Sequence, residues 1–460
     1  MRGIARIRGS DAHRVRRWDV VMLGSALPGL VAAVRLGQRG ARVLVVEEKA
    51  AAEAPALLRE PFVLTGADSA GVLGQCLRTL GLALIDQRRF APEEVAVQVV
   101  LPDARVDVGR AALTAAELVA WGLAKPDEAR ALVRALEGAA QAERAALLAG
   151  PQPRRRGRGE PADAAGFARG WPREAAEAGE PLAPLLAALI RGLSNLGEAA
   201  PSPEARARLV GALLEGGWVL GGADRSLRGM IRRRAEALFA QFRSLDRPFE
   251  FVSVTNQPGL SLRDPDEILS GRVMVLNAPL AGLRRACEGE VPDVLRGPEP
   301  ALRRVQRYLR GPADALPEGM ASRVICVPAT ATGEAPVVTL RTAAGPDRRV
   351  EAVAEAVGPL DAPTDGMTEW IDRVLARLLP FAAGRLETPR LAPAVWDTDT
   401  LLCDPGAAGA WPGLPSSRLS GRPPIHHLDR AAVGGLGFEG DLLLGLHAAE
   451  EIAAELPSRP

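Results

Sequence analysis

Apolar residues come in short blocks and helical stripes along this chain, and the first two blocks frame a helix. Residues 19–23 are a short apolar run of the kind that forms a buried parallel strand, and residues 43–46 are a second one. Between them, residues 30–39 carry apolar side chains on one side of a helix, and Gly40 suits the position that ends it. The pattern predicts a βαβ unit with a right-handed crossover.

Downstream of this unit, the chain alternates between strand-like and helix-like segments. Residues 95–101 and 105–108 are typical of two strands joined by a Pro-Asp turn. The other predicted strands are residues 249–255, 260–263, 273–276, 324–327, 337–341 and 349–357. The predicted helical regions are residues 111–149, 184–214, 227–242, 367–379 and 442–456. This mixture predicts an α/β protein with more than one domain.

Composition excludes several classes of protein. The chain has 460 residues, of which 47% are hydrophobic, so it can bury a large core. Its 57 basic and 56 acidic side chains nearly cancel, which argues against a generally basic nucleic-acid binder. Lys49 and Lys125 are the only lysines, and we treat this arginine bias as background. The scattered cysteines, without a CxxC pair, exclude a zinc ribbon or a disulfide framework.

Two arginine-rich segments are expected to lie outside the folded core. Residues 1–17 hold six arginines and one acid, with no apolar stretch of signal-peptide length after them, and are interpreted as a disordered basic lead-in. Residues 151–161 combine arginine with proline and glycine and predict a flexible loop without nucleic-acid contact. No apolar run reaches the ~20 residues that a bilayer-spanning helix needs. We therefore expect a cytoplasmic protein, with peripheral membrane contact as an option.

The first βαβ unit carries the strongest chemical signal. Gly24 can form the tight turn that precedes a phosphate-binding helix, and Gly29 lets helix and strand approach closely. Glu47, at the end of the second strand, is placed to accept hydrogen bonds from the hydroxyls of a ribose. A carboxylate at this position repels the 2′-phosphate of an NADP-type ligand. Ala26 stands where the middle glycine of a GxGxxG motif would be.

Three parts of the chain together resemble a known family. Residues 19–47 resemble the FAD-binding opening of phytoene desaturase-like and amine oxidase-like flavoproteins. Gly229-Met230, the helix and strands after it, and Asn277-Ala278-Pro279 resemble the returning segment of that FAD domain. Residues 437–445 resemble its C-terminal flavin loop and closing helix. The resemblance implies a doubly wound, mostly parallel Rossmann-type FAD-binding domain and a discontinuous α+β substrate domain.

The resemblance also implies domain boundaries. The FAD-binding domain would comprise residues 18–85, 216–290 and 421–460. The substrate domain would comprise residues 86–215 and 291–420.

Site residues follow from the same resemblance. Gly24, Ser25, Ala26 and Gly29 would line the FAD pyrophosphate, with Glu47 on the adenosine ribose and Val252 near the adenine. Gly440, Asp441 and Leu442 would approach the flavin. Arg59 would replace the arginine of a GG-R loop whose glycines are absent here.

The implied activity is that of an FAD-dependent oxidoreductase that abstracts hydride from an apolar substrate such as a polyene or isoprenoid. The electron acceptor is left open, and no catalytic residue is predicted, because the flavin itself takes the hydride. An amine substrate is less attractive, since Tyr308 is the only tyrosine available for an aromatic cage. The alternative is a degenerate flavoprotein-like scaffold that acts as a binding partner, supported by Ala26 and the missing glycines. A nicotinamide dehydrogenase is disfavoured.

Other candidate sites are weaker. His426, His427 and Asp429 lie close together in sequence, but neighbouring residues of a strand point to opposite faces, so no metal site is predicted. His447 is interpreted as a packed or exposed side chain of the last helix. Residues 181–193 are apolar enough to line a pocket or touch a bilayer, although a core helix is the commoner explanation.

Overall fold

The structure is a computed structural model. It describes residues 4–7, 14–149, 170–180, 182–196, 201–222, 225–263, 266–297, 299–328, 336–345, 348–403, 414 and 416–457. The loop predicted at residues 151–161 lies outside the described residues, as do residues 1–3 and 8–13 of the predicted lead-in.

The strands belong to two large sheets and one small one. In chain order they are β1 (Ala5–Ile7), β2 (Arg14–Leu23), β3 (Val43–Glu48), β4 (Leu64–Thr65), β5 (Phe90–Glu93), β6 (Val95–Val100), β7 (Arg105–Gly109), β8 (Gly217–Leu220), β9 (Gln241–Leu245), β10 (Glu250–Val254), β11 (Gln257–Arg263), β12 (Asp266–Leu276), β13 (Pro300–Pro312), β14 (Arg323–Cys326), β15 (Val338–Ala344), β16 (Arg349–Pro359), β17 (Leu401–Cys403), β18 (Arg418–Gly421) and β19 (Pro424–His427).

The helices cover the faces of these sheets. They are α1 (Leu27–Gln38), α2 (Lys49–Glu53), α3 (Val72–Thr79), α4 (Leu84–Gln87), α5 (Ala111–Ala120), α6 (Pro126–Leu148), α7 (Arg173–Ala176), α8 (Ala183–Leu193), α9 (Pro203–Leu214), α10 (Leu227–Ala237), α11 (Leu280–Ala286), α12 (Thr364–Leu378) and α13 (Gly437–Glu455). Short 3-10 helices span Ala56–Arg59, Asp293–Leu295, Ala313–Ala315 and Arg430–Leu436. Among the described residues, no helix is long and apolar enough to cross a bilayer.

The first sheet collects strands from the beginning, the middle and the end of the chain. Its order is β1-β10-β11-β12-β2-β3-β9, with β19 on β12 and β18 on β19. The pairs β2–β3, β2–β12, β3–β9 and β12–β19 are all parallel, so their carboxyl ends lie at one edge of the sheet. Such an edge is where open α/β sheets bind ligands.

Helices α1, α10 and α13 pack on one face of the first sheet. Leu30, Ala33 and Val34 of α1 join Val20 of β2 and Ile231 of α10 in one buried cluster. The predicted βαβ unit is therefore present, with α1 beginning three residues earlier than the apolar pattern indicated. Pro28 does not prevent this start, because proline is tolerated in the first turn of a helix.

The second sheet runs β17-β13-β16-β15-β14-β6-β7 and forms most of another domain. Helices α6, α8 and α9 pack over β6 and β7, around a core that includes Val99, Val106 and Leu189. Helix α12 packs on the opposite end of the sheet, where Ile371 and Leu340 belong to one buried cluster. The small sheet β4-β8-β5 lies beside it.

The helix predicted at residues 227–242 is wrong at its C-terminal end. Helix α10 stops at Ala237, and Phe239 adopts a positive φ of 64°. The chain then forms β9, which pairs in parallel with β3. Phe242 fits the helical apolar stripe, yet it lies in this strand with the guanidinium of Arg232 4.1 Å from its ring centroid. A single apolar residue at helical spacing could not distinguish the two structures.

The interpretation of residues 1–17 as a disordered lead-in is also wrong for the described part. Residues 14–17 are the start of β2 and pair in parallel with residues 267–270 of β12, while β1 pairs with β10. Val15 packs against a buried cluster that contains Ile268. Arg16 forms an ion pair with Glu267 at 2.5 Å. The side chain of Val15 and the Arg16–Glu267 ion pair thus support a longer β2, which begins before the apolar run at residues 19–23.

A buried ion pair joins the two large domains. Arg208 of α9 donates to Glu439 of α13 from Nε at 2.7 Å and from Nη2 at 2.8 Å. Arg208 also binds both carboxylate oxygens of Glu215 at 3.1 Å. The side chains of Arg208 and Glu439 are 1% and 3% exposed. Removing one partner of such a pair leaves an uncompensated charge in the core.

We expect Arg208→Met to lower the free energy of unfolding by about 3–5 kcal/mol, because Glu439 then stays buried without its cation. Urea unfolding followed by circular dichroism measures the effect. The matched control is Arg134→Met on the exposed side of α6, with an expected change below about 0.5 kcal/mol. Equal stability of the two variants would contradict the role assigned to the pair.

Candidate functional site

Helix α1 begins at the edge where the parallel strands end. Leu23, the last residue of β2, lies opposite Val46 of β3 and Leu276 of β12. Gly24 then turns the chain with a φ of +99°, a conformation that favours glycine. A Cβ at this position would lie 2.4 Å from the carbonyl oxygen of Asn277. The tight turn predicted at Gly24 is present and requires a glycine.

Asn277 fastens the start of α1 to the end of β12. Its side-chain amide donates to the carbonyl oxygens of Gly24 and Ala26 at 3.0 Å each. Its Oδ1 accepts from the N–H of Gly29 at 3.1 Å. A Cβ at Gly29 would lie 2.0 Å from the Nδ2 of Asn277 and 2.7 Å from the Sδ of Met22 in β2. Gly29 therefore provides the close helix–strand approach that the sequence predicted.

The first N–H groups of α1 are only partly satisfied. Those of Ala26 and Leu27 have no hydrogen-bond acceptor among the described residues. Ala26 offers no capping side chain, and the first turn carries no acidic residue. These N–H groups and the helix dipole place partial positive charge at this end of the helix. The arrangement can bind an anion.

A carboxylate of the chain itself already lies beside this helix end. Asp397, between α12 and β17, accepts from the N–H of Ser25 at 3.2 Å through each of its oxygens. It also accepts from the Ser25 hydroxyl at 2.9 Å and from the Nη2 of Arg59 at 2.7 Å. Asp397 is 1% exposed. It therefore occupies an anion position next to the amino end of α1.

A second carboxylate, Asp399, gathers three arginines. It accepts from Arg430 at 2.7 Å, from Arg228 at 3.2 Å and from Arg59 at 3.4 Å. Burial opposes its ionisation, yet these guanidinium groups hold the pKa of Asp399 well below its usual range. Arg430 also binds Asp441 at 2.8 and 2.6 Å. The guanidinium groups thus share carboxylates from separate parts of the chain.

Arg228 is the least compensated member of this cluster. It donates to Asp399 and to the carbonyl oxygen of Ser25 at 2.5 Å. Burial, together with the charge of Arg59, lowers the pKa of Arg228 to about 10. A pKa shift in this direction means that the surroundings of Arg228 disfavour its charged form.

Glu47 is engaged by an arginine. Arg232 of α10 donates to both of its carboxylate oxygens at 3.0 Å. Ser244 of β9, directly opposite Glu47 in the sheet, donates to it at 3.5 Å. Glu47 is 1% exposed. A ribose would have to share this carboxylate with Arg232 and Ser244.

The neighbouring Glu48 holds the segment that carries Asp397. Its carboxylate accepts from the backbone N–H groups of Val395 at 2.8 Å, Trp396 at 2.8 Å and Asp397 at 3.0 Å. Trp396 is buried and its ring packs edge-on against Phe249, with 5.5 Å between centroids. We call residues 395–399 the strap. The strap is fixed to the first sheet although it comes from the chain between α12 and β17.

A cavity separates the two large domains in front of this cluster, and we call it the interdomain cavity. Its lining on the side of the first sheet includes Leu27, Arg59, Arg228, Arg430, Phe438 and Asp441. Its lining on the side of the second sheet includes Arg304, Thr339, Arg341 and Glu355. The cavity therefore reaches from the amino end of α1 to the amino end of α13.

The three residues expected near a flavin differ in their surroundings. Asp441 is held by Arg430 and lines the interdomain cavity. Leu442 is fully buried in the core with α1, and a Cβ on Gly440 would lie 2.5 Å from the carbonyl oxygen of Val433. Helix α13 begins at Gly437, earlier than the predicted residue 442, so all three positions lie within its first two turns.

The paired histidines lie in β19. His426 is buried, with its Nδ1 2.8 Å from the hydroxyl of Ser417, and burial lowers the pKa of His426. Burial also lowers the pKa of His427. Within the described ranges, no three His, Cys, Asp or Glu residues come together in a way that could hold a metal ion.

Comparisons with known proteins identify the architecture. No protein-family model matches the chain, and no curated protein sequence matches it. Solved structures do match over nearly their whole length. Cyclohexylamine oxidase from Brevibacterium oxydans is 18% identical, with a TM-score of 0.54, and the match covers 95% of this chain and 99% of that one.

Two further structures agree with it. An oxidoreductase from Methanosarcina mazei has a TM-score of 0.56 at 12% identity, covering 95% of this chain and 100% of that one. A double mutant of putrescine oxidase has a TM-score of 0.53 at 16% identity, covering 96% and 100%. The chain has the amine oxidase fold. This confirms the predicted fold class and, at the level of the fold, the predicted resemblance to amine oxidase-like proteins.

Within the amine oxidase fold, the structure brings most of the predicted site residues together. Gly24, Ser25, Ala26 and Gly29 form the start of α1, with Arg59 against Ser25 and Asp441 across the cavity. Val252 does not join them. It lies in β10, paired with Ala5 and Gly259 and separated from β2 by β11 and β12. The strand after α10 is β9, so the residue beside Glu47 is Ser244.

Sequence reasoning missed the partners of these residues. They are Asp397, Asp399, Arg228, Arg232 and Arg430, and no sequence pattern marks any of them as a partner. Asn277 lies in the segment that resembles the family, but the sequence assigns it no role. The two-residue spacing of Asp397 and Asp399 was no signal either, because the chain bends at residues 395–397 and 399 and the alternation of a regular strand does not apply there. Nothing local connects that pair to Arg59.

We expect Asp399→Asn to lower the free energy of unfolding by about 3 kcal/mol at pH 6, because the three guanidinium groups lose their shared carboxylate. The folded pKa of Asp399 is depressed, so its stabilising contribution is complete above the unfolded pKa of about 3.9 and declines as the pH falls. The difference from the unsubstituted chain should therefore shrink by about 1 kcal/mol at pH 3.

Urea unfolding at both pH values measures this difference. The control is Asp314→Asn, which removes an exposed carboxylate that pairs with Arg385. An Asp399→Asn deficit of the same size at pH 6 and pH 3 would show that the charge of Asp399 does not stabilise the cluster.

Proposed function

We propose that this protein is an FAD-dependent oxidoreductase. The observation that carries the proposal is the interdomain cavity, which extends from Leu27 at the start of α1 to Phe438 and Asp441 at the start of α13. At its first end lies Leu27, whose N–H group has no hydrogen-bond acceptor among the described residues and suits a phosphate. Matching structures with this fold are described as amine oxidases and as an oxidoreductase, which supports the same class.

The residues present fit FAD in part. Leu27 and Arg59 would hold the diphosphate, and the flavin would lie beside Phe438 and Asp441. Bound FAD would supply a hydride acceptor, while the protein orients the substrate and excludes water. The groups that would bind the adenosine half and its phosphate are already engaged within the chain. Asp397 holds the N–H of Ser25, and Arg232 holds Glu47.

The lining of the cavity supports a substrate with an apolar body and an anionic group. Leu58, Phe62 and Val337 supply apolar contact, in line with the apolar substrate that the sequence suggested. The described lining also contains six arginines against four carboxylates. Two buried polar atoms of the lining, the Nε of Arg341 and the Oγ of Ser194, have no hydrogen-bond partner in the described part of the chain.

The same charges argue against two other substrates. A hydrocarbon such as an unsubstituted polyene would leave the guanidinium groups of Arg304 and Arg341 without an additional anion in a largely buried place. A cationic amine would be repelled, because Glu355 is shared between these two arginines. A carboxylate or a phosphate monoester on an apolar chain supplies both the apolar body and the anion that this lining favours.

A second candidate function is a binding scaffold without turnover. The pairing of Ser25 with Asp397 and of Glu47 with Arg232 supports it, because both interactions satisfy internally the groups that a dinucleotide would use. The same fold without bound FAD could still bind an anionic ligand in the interdomain cavity. Flavin binding separates the two candidates.

We expect the purified full-length protein to bind FAD saturably, because the cavity and the free N–H groups of α1 remain available to it. Titration with FAD, followed by quenching of flavin fluorescence and by the visible absorption bands of the bound flavin, measures this. FMN serves as the comparison ligand that lacks the adenosine half. Protein that stays colourless at saturating FAD would favour the scaffold.

We expect Arg304→Gln to weaken use of an anionic substrate about tenfold, since it removes a charged hydrogen-bond donor from the cavity wall. The assay is anaerobic bleaching of bound flavin by long-chain carboxylates, compared with the corresponding neutral alcohols. The matched control is Arg307→Gln on the same strand, where Arg307 pairs with Asp372 outside this cavity. Equal bleaching by the carboxylate and the alcohol would contradict anion recognition.

A further inference from the structure

We infer that Asp397 is a built-in competitor for the diphosphate of the cofactor, so that a dinucleotide binds only by displacing it. This inference rests on the proposed function for the identity of the ligand. It starts from the position of one carboxylate. Asp397 takes the N–H and hydroxyl of Ser25 and the Nη2 of Arg59, which are the groups beside the amino end of α1 that a phosphate would also take.

The strap presents this carboxylate in a fixed position. Glu48 holds the backbone N–H groups of residues 395–397, and Trp396 packs against Phe249. A Cβ on Gly282 would lie 2.9 Å from the Cα of Trp396, so the strap fits closely against α11. Asp397 is therefore delivered to Ser25 by a segment anchored on both its backbone and its side chains. A mobile surface loop would not place a carboxylate in this way.

Charge makes the two anions exclusive. Three arginines and three aspartates form ion pairs in this cluster, so three positive charges balance three negative ones. They are Arg59, Arg228 and Arg430 with Asp397, Asp399 and Asp441. A diphosphate added to this cluster would bring two more negative charges into a place where Asp397 is 1% exposed. Like charges so close and so poorly solvated repel strongly. The diphosphate and the Asp397 carboxylate cannot both occupy the neighbourhood of Ser25.

There is room for the displaced side chain. Asp397 also lines a second cavity, which shares Arg59 with the interdomain cavity and has Ala54, Tyr308 and Thr388 in its walls. Rotation into that cavity frees Ser25 and Arg59 while Glu48 keeps the backbone of the strap. The affinity for FAD is then set by the difference between two anions that compete for the same donors.

The test compares the full-length chain with Asp397→Asn, using FAD and, separately, ADP as ligands. The substitution keeps the shape of the side chain and removes its charge. We expect both ligands to bind about ten- to a hundredfold more tightly to Asp397→Asn, the range that corresponds to a hydrogen bond to a charged group. Asp314→Asn, which removes an exposed carboxylate paired with Arg385, should leave both affinities unchanged.

A second measurement uses the unsubstituted chain and does not depend on a variant that folds. Hydrogen–deuterium exchange at residues 398 and 399, whose N–H groups Glu48 does not hold, should become faster when ADP or FAD is bound, because Asp397 loses its anchor on Ser25 and Arg59. Unchanged exchange with saturating ADP overturns the inference. So does equal ADP affinity in the unsubstituted chain and Asp397→Asn.

The two ligands separate this inference from the proposed function. Tighter ADP binding by Asp397→Asn without FAD binding by any variant supports the competitor and refutes the flavoenzyme. Tight FAD binding that is indifferent to Asp397→Asn refutes the competitor and supports the flavoenzyme. Absence of binding by both ligands in folded variants refutes both.

Discussion

The positive amino end of α1, buried at the carboxyl edge of the parallel strands, is the constraint on which the site depends. Parallel strands bring several chain ends to this edge, and the turn at Gly24 aims the first N–H groups of α1 into it. Partial positive charge in so dry a place needs an anion. The carboxylate of Asp397 accepts a hydrogen bond from the N–H of Ser25, and the side chain of Asn277 accepts one from the N–H of Gly29. Within the described part of the chain, the N–H groups of Ala26 and Leu27 have no acceptor.

Much of the fold could be predicted because its signals are local. Two apolar runs, a helical stripe and the glycines at 24, 29 and 40 specify the first βαβ unit within thirty residues. The prediction of a helix up to residue 242, where the structure has β9, also failed for a local reason. Phe242 continues the apolar stripe of α10, although the chain has already turned at Phe239. That error moved the expected adenine contact to Val252, in a strand away from the site.

The partners of the site could not be predicted, because they depend on contacts between distant parts of the chain. Asp397 is 372 residues from Ser25, and its neighbours give no motif. Arg59 was expected at the cofactor from its place in the sequence, but its two carboxylate partners come from the strap. The partner of Glu47 could not be predicted for the same reason. Its position in the strand was predicted, whereas the arginine that binds it could be known only from the packing of α10.

The arginine bias, which composition alone could not interpret, has a structural consequence at this site. A planar guanidinium can bind two carboxylates at once, and Arg430 uses this to join Asp399 to Asp441, while Arg59 joins Asp397 to Asp399. A lysine, as a point charge, would not span such pairs in one geometry. The network therefore connects the diphosphate position near Ser25 to the cavity wall at α13 through shared carboxylates. An anion that binds at one end changes which carboxylates remain for the arginines at the other, so the two parts of the site cannot be independent.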